Sequence, residues 1–302
     1  VVLNAGVRPS VAVARARARF EAAGGIVREG VGATGIDIHT NGACVHLDTP
    51  DALEGEQEVL TGQLIIDAMG NQSPISRQAR GAARPFGICI VVGSIASGFG
   101  LDNSFGDLIY TNSDLWTGDI PEAPHELGSP RKQYYWEAFP VGSGSTDRTT
   151  YLFTYMDATA ERPTVAQQLE DYWDLLPVYQ RHNCQAFADG KSVEEAVTAG
   201  DIKLKRVLYG CFPTYQDSPL PPVAARVLAI GDASGIQSPL SFGGFGALTR
   251  HIRRISNAVV EAIESTALSK KDLAAVNAYL PNQSATWMFQ RAMMVPIGDT
   301  RP

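Results

Sequence analysis

A chain of 302 residues, 44% hydrophobic and 19% charged, has material for one large domain or two ordinary ones and is too apolar for disorder. A formal net charge of −7 and a pI near 5.3 argue against general nucleic-acid binding and against docking on anionic membranes. Cys44, Cys89, Cys184 and Cys211 form no CxxC pair, which suits a reducing compartment without a disulfide framework, and no apolar run reaches transmembrane length.

The first expected element is a helix over "SVAVARARARFEAA", entered through Pro9 and ended by Gly24-Gly25. Three strand-like runs follow, "GIVREGV", "TGIDIHT" and "ACVHLDT". The last two are joined by Asn41-Gly42, a two-residue hairpin signal. "GQLIIDAMG" is the next strand, and its continuous apolar centre predicts burial on both faces. "SPISRQAR" then opens a short helix.

From about Phe86 the texture changes. "GICIVVGSIA", "KQYYWEAFPV" and "TTYLFTYMD" are aromatic and β-branched and are separated by loops rich in Gly, Ser, Pro and Asp, which predicts an antiparallel sheet in a subdomain of its own. "VGSGSTD", residues 141–147, contains GxG but lies between two aromatic strands with no helix after it, and reads as a hairpin loop. Helical spacing returns in "TVAQQLEDYWDLLPVYQ". After Lys203 come a strand, the stretch "GDASGIQSPLSFGGFG" (231–246), a helix from about Gly243 to Glu264, and a capping-box pattern at Ser269 and Asp272 before one more helix.

The chemistry lies where two apolar strands end in an acid and glycine. Asp232, after "VLAI", is placed to accept hydrogen bonds from ribose or ribitol hydroxyls, and glycines before a helix let main-chain amides and the helix dipole face electron-rich ligand atoms. The bland alternative is a strand-to-helix turn that Asp232 merely caps. "LIIDAMGNQSPISRQ" repeats the arrangement with Asp67 and Gly70, and its bland alternative is a capped helix with Arg77 on a solvated face. Finding both in one chain, with a sheet between them, favours the cofactor reading.

That combination resembles the flavoprotein fold of para-hydroxybenzoate hydroxylase, geranylgeranyl reductase and lycopene cyclase. Gly231, Asp232, Ala233 and Pro239 match its second FAD motif, GDAA-x(4)-P, with Ser234 in place of the second Ala. The resemblance implies that Asp232 binds the ribitol chain of FAD and that Gly243, Gly244 and Gly246 lie over the isoalloxazine ring, although three residues rather than two separate Pro239 from the first glycine. "FPTYQDSPLPP", "GDASGIQSPLSFGGFGALTRH" and "PNQSATWMFQRAM" look most like plant and algal FAD/NAD(P)-binding oxidoreductases of lycopene-cyclase-like type, which implies a chloroplast location and NAD(P)H as a candidate reductant.

Two departures stand beside the match. The fold begins with a βαβ unit carrying GxGxxG, and nothing in residues 1–302 fits it. The chain opens on Val and enters the fold after the pyrophosphate-binding unit, so a missing N-terminal βαβ segment is an expected partner. Where the hydroxylases carry Ala-Asp-Gly, this chain reads Ala68-Met69-Gly70, with its acid two residues earlier at Asp67, and NADPH-dependent hydroxylation loses support.

The expected fold class is α/β: a partial FAD-binding Rossmann-like domain (residues 1–85 and 201–302) with an inserted antiparallel-sheet domain (residues 86–200) that covers an apolar substrate. Tyr134, Tyr135, Trp136 and Phe139 line that pocket or else form sheet core. Cys44 with His46, and His182 with Cys184, have spacing that a metal could use, but the expected reading is a packed hairpin face for the first and a loop for the second, with no metal. Arg250 to Arg254 read as the solvated side of the long helix.

Two functional classes result. One is an FAD-dependent oxidoreductase on an apolar, isoprenoid-class substrate, with a variant that cyclises using reduced FAD without net redox change. The other is a truncated or degenerate flavoprotein-fold chain without activity. No catalytic side chain is assigned in either.

Overall fold

The computed structural model describes residues 8–48, 58–101, 103–109, 133–235, 244–277, 286–294 and 296. In chain order the elements are α1 (Pro9–Ala22), β1 (Gly32–Ile38), β2 (Ala43–Asp48), β3 (Glu58–Gly62), β4 (Ile65–Asp67), α2 (Pro74–Arg80), β5 (Gly87–Ser97), β6 (Asp107–Ile109), β7 (Tyr135–Pro140) and β8 (Asp147–Met156). Then follow α3 (Val165–Gln180), α4 (Gln185–Ala188), α5 (Val193–Thr198), β9 (Lys203–Thr214), β10 (Val227–Ala229), α6 (Gly244–Glu264), α7 (Lys270–Asn277) and α8 (Thr286–Met293). None of the helices, among the described residues, is long and apolar enough to cross a membrane. The described residues fall into two compact units.

The first unit holds the described residues of 1–80, 219–236 and 245–280. It contains an antiparallel sheet ordered β1-β2-β3 and a parallel pair, β4 with β10, in which Val227, Leu228 and Ala229 lie opposite Ile65, Ile66 and Asp67. Its core is Leu228 packed with Ile255, Ala262, Leu268, Leu273 and Val276. Ile255 and Ala262 recur at helical spacing along α6, which buries that stripe and leaves Arg250 and Arg253 exposed. Arg254 reaches across instead, its Nη1 donating to Val276 O at 2.7 Å and tying α6 to α7. The cap before α7 forms as its pattern predicts: Ser269 N and Oγ both donate to Asp272 Oδ2, and Asp272 N donates to Ser269 Oγ.

Three expectations are corrected in this unit. "GIVREGV" makes no strand: Gly30 sits at φ +73, in the left-handed region that interrupts extended backbone, and Ile26 is 82% exposed. The segment is held by exposed ion pairs instead, Arg17 with Glu29 and Arg28 with Glu58. The β1–β2 hairpin turns one residue earlier than Asn41-Gly42. His39 N donates to Gly42 O at 2.8 Å, which centres the turn on Thr40 and Asn41. Gly42 faces β3 closely, since a Cβ there would stand 3.2 Å from the carbonyl of Gly62 and the neighbour would have to give by a few tenths of an ångström. Last, β4 is not buried on both faces: Ile66 is 46% exposed, because β10 is its one strand neighbour among the described residues.

The second unit holds the described residues of 81–218, 237–244 and 281–302. Its centre is the five-stranded antiparallel sheet that the aromatic runs predict, ordered β6-β7-β8-β5-β9. Because side chains alternate across a strand, β7 sends Trp136 and Ala138 to one face and Tyr135, Glu137 and Phe139 to the other.

The first face is closed by α3, whose capping box joins Thr164 to Gln167. Trp136 is fully buried there, stacked on Tyr172 at 5.4 Å between ring centroids and tilted against Tyr179 at 4.8 Å. The Tyr172 hydroxyl lies 2.7 Å from Ser94 Oγ and 2.6 Å from Thr150 Oγ1, and Gln168 Nε2 donates to Ile90 O at 2.9 Å. Arg148 is buried at the end of the sheet and donates to Gln180 Oε1, Asn103 Oδ1 and Phe105 O. The second face gathers Cys89, Val91, Tyr135, Phe153 and Tyr155, and Met293 at the end of α8 and Met294 after it pack against them.

Candidate functional site

In the first unit, the two acid-and-glycine turns meet side by side. The parallel ladder brings the end of β4 beside the end of β10, and Ile230 N donates to Asp67 O at 2.9 Å. Each strand then enters a 3₁₀ turn, Gly70–Gln72 after β4 and Gly231–Ser234 after β10. Gly231 sits at φ +57, a conformation that side-chain-bearing residues adopt at a cost, so glycine opens this turn for backbone reasons.

The two acids do different things. Asp67 is buried and its carboxylate is spent on its own turn. It accepts from Met69 N at 3.0 Å and from Ser73 Oγ at 2.5 Å, with Ser76 Oγ 3.3 Å away. Ser73 Oγ also accepts from Ser76 N at 3.0 Å and so caps α2, while Ser76 Oγ donates to Ala233 O at 2.5 Å. Asp67, Ser73 and Ser76 therefore pin the first turn to the second. Ser73 and Ser76 were not candidates from the sequence. The signal was there, a serine three residues before another at a Pro-started helix, but their far partner at Ala233 is 157 positions away.

Asp232 is half-buried, and while its main-chain O accepts from Gly235 N at 3.0 Å, its carboxylate accepts no hydrogen bond from the described residues; burial alone pushes that carboxyl up from the ordinary aspartate range. A carboxylate partly stripped of water, without a donor, on a turn held by a buried hydrogen-bond network, is chemically an acceptor in want of a hydroxyl or amide. Gly235 N, Ser234 Oγ and Ser234 O are occupied inside the turn or with Leu220. Gly70 opens the neighbouring turn. Gly244 is the first residue of α6, and Gly246 is exposed two residues on, with open space where a Cβ would be. Pro239 and Gly243 lie outside the described residues. Arg77 is exposed and bonds to Gln72.

The four aromatics expected at a pocket are divided between the two faces of the sheet in the second unit. Tyr134 and Trp136 belong to the core under α3, where the Tyr134 hydroxyl donates to Asp171. Tyr135 and Phe139 point to the opposite face. There Tyr135 stacks on Phe153 at 5.4 Å and donates its hydroxyl to Met293 O at 2.9 Å, and burial pushes that phenol up to about 12. Phe139 is 38% exposed, and its ring centroid lies 5.9 Å from that of Tyr151. Among the described residues no three His, Cys, Asp or Glu side chains gather at metal-binding range. His46 pairs with Asp37 at 2.7 Å.

No family model matches the chain, and no curated protein is similar to it in sequence. Solved structures are similar in fold. The halogenase PltM, in a complex with phloroglucinol and FAD, matches at a TM-score of 0.53 and 16% identity, over 90% of this chain and 51% of that one. FqzB matches at 0.55 and 12% identity, over 93% of this chain and 60% of that one. The anhydrotetracycline hydroxylase OxyS from Streptomyces rimosus matches at 0.50 and 15% identity, over 92% and 47%. The chain spans about half the length of these structures, and it has the α/β fold of FAD-binding flavoenzymes.

Proposed function

We propose that the chain is the ribitol- and substrate-side part of an FAD-dependent oxidoreductase that acts on an apolar substrate. The observation that carries this reading is Asp232: a half-buried acceptor without a donor, at the carboxyl end of a parallel strand, in the position where the sequence resemblance puts the ribitol chain. The residues present fit that group. Asp232 would hold ribitol hydroxyls, the turn of Gly231 would let the backbone come close, and Gly243, Gly244 and Gly246 would border the isoalloxazine with Pro239 ahead of them. Asp67 and Gly70 would serve from behind, as the buttress that keeps the Asp232 turn in place. Bound flavin would supply the electron-transfer chemistry, with NAD(P)H as the reductant; the chain would bind, orient and exclude water.

The aromatic sheet of residues 86–200 would cover the substrate, and isoprenoids, including one cyclised without net redox change, are the class suggested by the lycopene-cyclase-like resemblance. A chloroplast location rests on that resemblance alone.

Substitution of Asp232 separates binding from stability. Asp232→Ala should weaken FAD retention by about 1.5–3 kcal/mol, the value of a hydrogen bond to a charged group. Absorbance of the flavin bands after gel filtration reads it, and retention equal to the parent's would reduce the motif to a turn. The same carboxylate destabilises the ligand-free chain. Its folded pKa is raised, so the cost is present above that pKa and disappears as pH falls through it. Asp232→Asn should therefore raise the melting temperature at pH 7, with the gain shrinking on acidification and gone below the ordinary aspartate range.

A second reading, a truncated or degenerate chain that holds FAD poorly, is favoured by the apolar surface of the first unit. No residue of α1 is buried, and Ile66 lies exposed on a parallel strand, a setting in which both faces are ordinarily covered. We propose that a βαβ segment with GxGxxG is the partner that covers it. The chain alone should then purify colourless and aggregate, and a βαβ segment supplied in cis or as a separate polypeptide should yield a soluble yellow protein. A monomeric, flavin-loaded preparation of residues 1–302 alone would refute this.

A further inference from the structure

The helix α8 carries a polar side chain into its seat on the five-stranded sheet and leaves it unsatisfied there. Gln290 is 1% exposed, yet neither Nε2 nor Oε1 of its carboxamide has a hydrogen-bond partner among the described residues. It stands over Gly87, the first residue of β5. A Cβ on Gly87 would lie 2.7 Å from Gln290 Nε2, so the glycine makes the room that the amide occupies. Thr214, the cross-strand neighbour of Gly87 on β9, is 6% exposed, and its hydroxyl also lacks a partner among the described residues. Neighbouring strand positions share a face, so an orphaned amide and an orphaned hydroxyl are shut from water at one end of the sheet.

Groups buried in this way regain hydrogen bonds only when water reaches them, which favours a raised α8 over a seated one. Other contacts favour seating. Met293 and Met294 pack on the cluster that contains Cys89, Tyr135 donates its hydroxyl to Met293 O at 2.9 Å, and Arg291 lies 3.7 Å from Asp157. Methionine is unbranched and fits an irregular aromatic face without a fixed interlock, so such a contact can be broken and remade. Apolar packing and an unsatisfied amide thus pull one eight-residue helix in opposite directions.

We propose that α8 is a releasable strap, which lifts from its seat as a unit while the strands and α3 stay folded, hydrating Gln290 and Thr214 and opening the Cys89 side of the sheet to solvent. Access to the second face is then governed by the seating of α8 and needs no permanent opening. The device lies within the sheet unit and is independent of FAD and of the reading of Asp232.

Cysteines of this unit supply the readout. Cys89 is buried in the cluster that Met293 and Met294 cover, Cys184 is buried in the core under α3, and Cys211 is exposed. Burial pushes the Cys89 thiol up, so it reacts only once water reaches it. The test is a time course of alkylation by N-ethylmaleimide on the full chain under native conditions, with each cysteine followed by peptide mass spectrometry. Cys211 should react first and Cys184 last, with Cys89 at least about tenfold faster than Cys184, because a local opening is easier than the global one. Gln290→Leu removes the orphaned amide and should slow Cys89 about tenfold, with the Cys184 rate unchanged as the sign that the sheet is intact. Gln290→Met should act in the same sense. Tyr135→Phe, which removes the bond to Met293 O, should speed Cys89 about fivefold. Equal rates at Cys89 and Cys184 in the parent would mean that only global unfolding opens this face, and a Cys89 rate that neither Gln290 variant slows would mean that the amide does not oppose seating. Either result overturns the proposal.

Discussion

Trp136→Ala should cost the sheet unit about 3–5 kcal/mol, the range for removing a large aromatic from a packed core. The indole is fully buried between Tyr172 and Tyr179, and α3 closes over it, so truncation opens a cavity whose walls are ring faces and cannot collapse without moving the helix. Trp136→Phe should cost far less, about 1 kcal/mol, because the stack survives and the indole Nε1 has no acceptor among the described residues to lose. Urea denaturation followed by circular dichroism checks both. A loss below about 1 kcal/mol for the alanine variant would mean that α3 is not held through this ring.

Arg148→Met should cost about 2–4 kcal/mol through its orphaned partners rather than through lost charge. The guanidinium donates to Gln180 Oε1 at 2.8 Å, Asn103 Oδ1 at 2.9 Å and Phe105 O at 3.0 Å, and so joins α3, the segment before β6 and the start of β8 in one buried knot. Methionine fills the volume and leaves those acceptors without a donor. Arg148→Lys should not rescue, since an ammonium group is a point donor on a stem and cannot match a planar fork that reaches three directions. The same denaturation series measures it, and a lysine variant as stable as the parent would show that charge alone suffices.

Legibility from sequence followed the range of the forces involved. The long helix α6, the cap of α7, and the antiparallel aromatic strands were readable because each is set by residues three or four positions apart, or by the alternation within one strand. The loop 141–146 was readable as a hairpin from its flanking strands for the same reason. Register was not: the turn after β1 is centred on Thr40 and Asn41, one residue before the Asn-Gly pair, and Gly42 lies instead in close approach to Gly62 on a third strand.

The sequence by itself determined that this chain ends two apolar strands in Asp-and-Gly turns and places an aromatic sheet between them, since both are local patterns of residue type. Tertiary structure decided which groups those residues meet. Asp67 and Asp232 look alike in the sequence, yet one is consumed by Ser73 and the Met69 amide while the other keeps a bare acceptor, and the difference comes from a serine network that closes only when β4 lies beside β10. In "YYWEAFP", alternation announced two faces but not which one a helix would cover. Packing of α3 chose Trp136 for the core, and that choice left Glu137 half-buried on the opposite face beside Tyr151, where burial raises its carboxyl from the ordinary glutamate range.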